Sequence, residues 1–303
     1  MSSQDTAMPV TIIGGYLGSG KTTLVNHLIR QANGVRLAVL VNDFGELPID
    51  GDLIEAQHGN VITLSGGCVC CSYGDDLSAA LASLQSGADQ PDHIIVEASG
   101  VALPGAIGKT LSLLRHFQLE GIVVLADSST VVEHASAKYI GDTIERQLHD
   151  ADLIVLNKLD LVTSDQASAV RQWLGTHYSH APHIDAVHSV LDPDVFFSSR
   201  QESLLTASAE DGHDAGVFST FRLNVAEKVD ACQMAANLAD RKSALVRAKG
   251  FVLDKDDCMK TIQVVGRRWS VTSAPENVMP GLICIGLSGA YSEELVRSFA
   301  NQG

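Results

Sequence analysis

Apolar residues fall in short unbroken runs, separated by segments whose apolar positions repeat at helical spacing. The runs with strand character are Val10–Ile13, Arg36–Val41, Val61–Leu64, His93–Glu97, Gly121–Asp127, Leu153–Asn157 and Ile184–Val187. Between the first two, Thr22–Arg30 places Leu24, Val25, Leu28 and Ile29 on one helical face. Stretches such as VVLA and LIVL are apolar at every position, which suits strands covered on both sides by helices. Strand and helix alternate from Val10 to about Val190. The pattern predicts an α/β fold: a doubly wound, mostly parallel sheet whose ligands meet the carboxyl ends of its strands.

The alternation stops at SSRQESLLTASAEDGHDA (Ser198–Ala215), which is polar, rich in small residues and without apolar periodicity. This predicts a linker over 198–216, leaving 1–197 as the larger domain and 217–303 as a small α+β domain. In the second part, Phe218–Val225, Ala244–Leu253, Thr261–Val265, Trp269–Thr272 and Leu282–Leu287 read as strands. Val229–Arg241 and Ser292–Ala300 read as helices, and Gly266-Arg267-Arg268 as a hairpin turn.

The chemistry begins almost at once. Gly14–Thr23 reads GGYLGSGKTT, and Gly15-x4-Gly20-Lys21-Thr22 has the full Walker A spacing, between a strand and a helix. Glycines let backbone N–H groups turn inward around phosphate oxygens, and the helix N-terminus adds its positive end. Lys21 would reach the β- and γ-phosphates, and the Thr22 hydroxyl would ligate Mg²⁺.

Two further strand ends carry acids. Glu97 closes HIIVE and would hold Mg²⁺ directly or through water. Gly100, three residues on, would offer its N–H to the γ-phosphate, making the following segment a switch. Asn42-Asp43-Phe44-Gly45-Glu46 would be the other switch, with Asp43 or Glu46 touching Mg²⁺ or positioning water. Lys21, Glu97 and Glu46 are the catalytic candidates, and the choice of water-positioning acid among Asp43, Glu46 and Glu97 stays open. After the run DLIVL comes Asn157-Lys158-Leu159-Asp160. An aspartate there can accept two hydrogen bonds from guanine, a donor pair that adenine lacks. A loop near His188-Ser189 would back the base.

Three of six cysteines lie within four residues: Cys68, Cys70 and Cys71, after Gly66-Gly67; Cys232, Cys258 and Cys284 are scattered. That distribution argues for one thiolate site rather than a disulfide framework. Three soft ligands in a compact loop select Zn²⁺ or a similar late metal, Co²⁺ included, and an open three-ligand site suits handing metal on. A redox pair, or a GTP-binding metal buffer, are the competing readings. His177, His180, His183 and His188 are too loosely spaced for a metal reservoir and read as surface histidines.

The formal charge of −15 disfavours nucleic acid and anionic membrane as partners. No secretory leader and no membrane-length apolar stretch is evident, so the cytoplasm is expected.

Taken together, GGYLGSGKTT, NDFGELPID, GGCVCC, EASGVALP and NKLD, in that order, resemble the CobW-like family of metallochaperone GTPases. That family is related to the GTPases assisting nickel insertion into urease and hydrogenase. Gln147 with Ala151-Asp152, RAKGFVL (Arg247–Leu253) and the final ICIGL strand extend the likeness nearly end to end. The resemblance implies GTP hydrolysis to GDP coupled to delivery of Zn²⁺ or Co²⁺ to a client apo-metalloprotein. It implies that Gly15, Gly18, Ser19, Gly20, Lys21, Thr22 and Thr23 hold phosphate and Mg²⁺. Asn157, Lys158 and Asp160 would read guanine, and Cys68, Cys70 and Cys71 would bind the transition metal. Gly66 stands where the family usually has asparagine, and Leu103 where a polar residue is common. The native metal, the client and the oligomeric state, monomer or homodimer, stay open.

Overall fold

In the computed structural model, residues 7–32, 34–42, 61–66, 75–86, 90–197, 214–215, 218–275, 278–287 and 291–299 are described. The chain divides into two units: Met1–Ser179 with His183–Pro193, and His180–Pro182 with Asp194–Gly303.

The first unit is built on seven strands: β1 (Met8–Gly15), β2 (Leu37–Asn42), β3 (Val61–Gly66), β4 (His93–Glu97), β5 (Phe117–Asp127), β6 (Leu153–Asn157) and β7 (His183–Asp185). Their order across the sheet is β3-β2-β4-β1-β5-β6-β7, and each neighbouring pair is parallel. The helices are α1 (Lys21–Arg30), α2 (Asp75–Ser86), α3 (Pro104–Ser112), α4 (Val131–Ala135), α5 (Gly141–Asp150) and α6 (Ser164–His177). β4 and β6 are buried at all five positions, as their unbroken apolar runs require. β1 has β4 on one side and β5 on the other, so the winding direction changes there. The crevice beyond the carboxyl ends of these three strands is where such sheets bind ligands.

Two polar side chains of this core are matched by partners on neighbouring strands. Thr11 Oγ1 lies 2.9 Å from His93 Nε2, both buried, across β1 and β4. Asp152, 2% exposed, accepts the Ile122 N–H at 3.0 Å while its own N–H donates to the Ile122 carbonyl at 2.8 Å. That exchange sets where β6 starts beside β5. β5 begins four residues earlier than its apolar run suggests, because Phe117–Leu119 pairs with Met8–Val10 ahead of an irregularity at Val10/Thr11.

The second unit holds an antiparallel sheet in the order β12-β11-β10-β13-β9-β8. Its strands are β8 (Asp214–Ala215), β9 (Phe218–Leu223), β10 (Leu245–Leu253), β11 (Met259–Val265), β12 (Arg268–Ser273) and β13 (Gly281–Leu287). Helices α7 (Ala231–Leu238) and α8 (Glu293–Phe299) complete it. Leu223, Met234, Leu238, Ile262, Leu282 and Val296 share one core. Gly266 at φ 53° makes the β11–β12 turn, a backbone conformation suited to glycine. α7 is shorter than its apolar pattern because it is capped at both ends: Asp230 accepts the Gln233 N–H at 2.9 Å, and the Ser243 hydroxyl donates to the Leu238 carbonyl at 2.7 Å. β8 pairs with β9, so Asp214 and Ala215 are strand rather than linker. Among the described residues no helix is long and apolar enough to cross a membrane.

Candidate nucleotide site

The loop Tyr16–Gly20 joins β1 to α1 and is shaped by its glycines. Gly15 has φ 133°, and a side chain there would meet the Leu125 carbonyl oxygen at 2.4 Å. Gly20, at φ 106°, occupies the position before α1, so no side chain caps that helix and no acid stands in its first turn. Uncapped first-turn N–H groups are ready donors for an anion. Lys21 is 8% exposed and donates from Nζ to the Tyr16 carbonyl at 3.3 Å, which places a cation inside the loop it belongs to.

The Thr22 hydroxyl donates to Glu97 Oε1 at 2.7 Å, joining the first turn of α1 to the end of β4. Glu97 is 3% exposed. A hydroxyl and a carboxylate oxygen side by side, next to a phosphate-shaped loop, are a hard oxygen pair fit for Mg²⁺.

On the other side lies the NKLD segment. Asn157, 1% exposed, donates from Nδ2 to the Ser19 carbonyl at 2.9 Å and to Ser189 Oγ at 2.7 Å. Its Oδ1 accepts the Ser189 N–H at 2.9 Å, and Ser189 Oγ donates on to the Gly20 carbonyl at 3.0 Å. Both amide protons of Asn157 are therefore used inside the protein. Lys158 sits at φ 61°, and its Nζ bonds Asp127 Oδ2 at 2.8 Å. Burial pushes the Asp127 carboxyl up, but hydrogen bonds from Lys158 and Ser129 outweigh it and hold the carboxyl below its ordinary range. Asp160 Oδ2 lies 4.0 Å from His188 Nε2, so the β7 loop does flank this segment. His188 and Ser189 have φ 52° and 58°.

Thus a loop shaped for phosphate, an oxygen pair fit for a hard cation and an NKLD turn converge on the carboxyl edge around β1. Residues 9–187 match the family model described as CobW/HypB/UreG, nucleotide-binding domain. The chain belongs to the CobW/HypB/UreG family. The zinc chaperone CobW of a Sinorhizobium species is 33% identical over 205 residues, 58% of this chain and 57% of that protein. The zinc chaperone YjiA of Escherichia coli K12 is 33% identical over 199 residues, 63% and 61% of the two chains. The zinc-regulated GTPase metalloprotein activator 1 of Schizosaccharomyces pombe is 30% identical over 238 residues, 72% and 56% of the two. The chain spans less than two thirds of the length of each of these three relatives.

Of the residues singled out from the sequence, Gly15, Gly18, Ser19, Gly20, Lys21, Thr22, Thr23, Glu97, Gly100, Asn157, Lys158 and Asp160 fall at the carboxyl ends of β1, β4 and β6 or directly beyond them. Asp43, Glu46, Cys68, Cys70 and Cys71 lie outside the described residues. Among the described residues no group of three or more His, Cys, Asp and Glu is placed to hold a metal ion. Cys232 and Cys258 are exposed free thiols; Cys284 is buried, which pushes its thiol up to about 12. Sequence reasoning missed Asp127 as the partner of Lys158, and it gave Ser189 only as a neighbour of the base. A single polar residue at a strand or loop end carries no spacing signal, so only the fold reveals its partner.

Proposed function

We propose that this CobW/HypB/UreG family member hydrolyses GTP and uses the cycle to hand a transition metal, Zn²⁺ or Co²⁺, to a client apo-metalloprotein. The observation that carries the nucleotide half is the Thr22–Glu97 pair beside the glycine-shaped loop. The N–H groups of the loop and of the first turn of α1 receive the phosphates, and Lys21 exchanges the Tyr16 carbonyl for phosphate oxygen. Thr22 and Glu97 are the residues that would hold Mg²⁺, which when bound neutralises charge on the β- and γ-phosphates. Asp160 reads guanine, while Asn157 fixes the phosphate loop and the Ser189 loop relative to one another. Asp43, Glu46 and Glu97 are the candidates for placing the attacking water. With no arginine finger evident in the sequence, intrinsic turnover is expected to be slow, on the order of 10⁻³ per second, until a partner completes the site.

The metal half rests on Cys68, Cys70 and Cys71 and on the names of the relatives, two of them zinc chaperones. Sheet register supports a shared rim. Val41 of β2 pairs with both Ser65 of β3 and Glu97 of β4, so Ser65 and Glu97 are two strand spacings apart, about 10 Å. Cys68 follows Ser65 by three residues. On this reading nucleotide state alters the affinity of the thiolates for metal, and delivery can be driven only by that difference.

The test is a Zn²⁺ titration with GDP and with a non-hydrolysable GTP analogue, in wild type and in Cys70→Ser with Cys71→Ser. Delivery predicts metal affinity that differs about tenfold or more between nucleotides and is lost in the variant, with nucleotide binding kept. Nucleotide-independent affinity refutes delivery in favour of buffering, and disulfide formation without stoichiometric metal refutes it in favour of redox sensing.

A further inference from the structure

We propose that Gln147 is a positioning residue that sets the Gly100 turn for the γ-phosphate, and so separates GTP from GDP. The inference rests on the GTPase reading above and deepens it. Gln147 lies on the inward face of α5 and is 1% exposed. Its Nε2 donates to two main-chain carbonyls of the turn after β4: Gly100 at 3.1 Å and Ala102 at 2.8 Å. Both amide protons are thereby committed, in surroundings where an unsatisfied amide is costly. The turn and the amide fix each other.

The same turn packs closely against the glycine-rich loop. A side chain at Gly100 would meet Leu17 Cδ2 at 2.5 Å and the Leu17 backbone nitrogen at 2.8 Å. The turn is closed internally by Ala102 N–H to the Ser99 carbonyl at 2.9 Å. One helical turn beyond Gln147, Asp150 accepts the Gly105 N–H at 2.9 Å in the first turn of α3. Gly105 has room for no side chain, because the Asp150 carboxylate stands 2.5 Å from where a Cβ would be. Helix α5 thus holds residues 100–105 at three points, two of them through Gln147. The direction of the Gly100 N–H follows from those anchors. An N–H aimed at the γ-phosphate is of no use to GDP, so releasing the turn should weaken GTP selectively.

The experiment uses the full chain with Gln147→Glu, which sets a carboxylate against two carbonyl oxygens, and Gln147→Met, which keeps similar bulk without donors. Dissociation constants for GDP and for a non-hydrolysable GTP analogue are measured with Mg²⁺, together with kcat and KM. The expected result is GDP affinity within about twofold of wild type, analogue affinity about tenfold weaker and kcat about tenfold lower. Equal weakening of GDP and analogue, or no change in either, overturns the assignment. Should Q147E fail to fold by circular dichroism, Q147M and Asp150→Ala carry the same test. D150A should show the same GTP-selective loss in smaller measure, and its absence from both overturns the proposal. A wild-type chain that neither binds nor hydrolyses GTP refutes the GTPase reading and this proposal with it. A competent wild type with unaltered Gln147 variants refutes the positioning role alone.

Discussion

Asn157 and Ser189 exchange hydrogen bonds in both directions: Nδ2 donates to Ser189 Oγ at 2.7 Å, and the Ser189 N–H donates to Oδ1 at 2.9 Å. Through this pair the end of β6 and the β7 loop are both tied to the phosphate loop, at Ser19 and Gly20. The NKLD segment and the glycine-rich loop therefore share one scaffold. Replacing Asn157 by Ala leaves the Ser189 N–H and the Ser19 carbonyl buried without this partner. Each such loss costs about 1–3 kcal/mol. Asn157→Ala is expected to lower the denaturation midpoint and to weaken GDP and GTP alike by at least about tenfold. Urea unfolding and fluorescent-nucleotide titration check both. Unchanged nucleotide affinity would show that the tie is dispensable.

Two glycines of the phosphate loop should differ sharply. At Gly20 a Cβ would meet Asn157 Nδ2 at 2.4 Å and Ser189 Oγ at 2.5 Å, whereas at Gly18 it meets nothing within 4 Å. Both have positive φ, 106° and 74°, so each alanine carries about 1–2 kcal/mol of backbone strain. Only Gly20→Ala adds overpacking, roughly 1–3 kcal/mol more, and it displaces the Asn157 amide as well. Thermal unfolding should rank wild type, G18A and G20A in that order, and equal melting temperatures for the two variants would contradict the geometry.

Thr22→Val removes the hydroxyl that donates to Glu97 and keeps the shape of the side chain. If the pair holds Mg²⁺, the variant loses the Mg²⁺-dependent part of nucleotide affinity, about tenfold, and in excess EDTA it matches wild type. Isothermal titration with and without Mg²⁺ decides it. An equal loss in EDTA would place the hydroxyl in phosphate binding or folding instead.

Asp127 predicts a pH signature. Its carboxyl is held below the ordinary carboxylate range in the folded chain, despite burial, by Lys158 and Ser129. A depressed folded pKa gives stability that is present above the unfolded value and is lost as pH falls through the folded one. Asp127→Asn should therefore be less stable than wild type at pH 7, and the gap should close as the pH falls through and below the ordinary carboxylate range. Denaturant melts at pH 7, 4 and 3 measure this, and a gap that widens on acidification would reverse the assigned sign.

Native thiol labelling separates the remaining cysteines. Cys232 and Cys258 are exposed, while Cys284 is fully buried with its thiol pushed up to about 12. Iodoacetamide at pH 8 should modify the first two in the folded protein and Cys284 only after unfolding. Peptide mass spectrometry reads each site, and rapid labelling of Cys284 would mean that the β-sheet core of the second unit opens readily.

The strand runs, the Walker spacing and the NKLD turn were legible in the sequence because each is a local pattern: burial on both faces demands continuous apolar residues, and a phosphate loop demands glycines at set intervals. The sequence by itself determined the α/β fold, the glycine-rich loop between β1 and α1 and the family. Strand ends were less exact, since β5 is extended by pairing with β1 and α7 is shortened by its caps. Only the tertiary structure decided that Asn157 holds Ser189 and Ser19, that Asp127 answers Lys158, and that Gln147 grips the Gly100 turn. These partners are 31 to 138 residues apart where they meet. A hydrogen bond across such a span depends on strand order and register, which no local pattern of polar residues encodes.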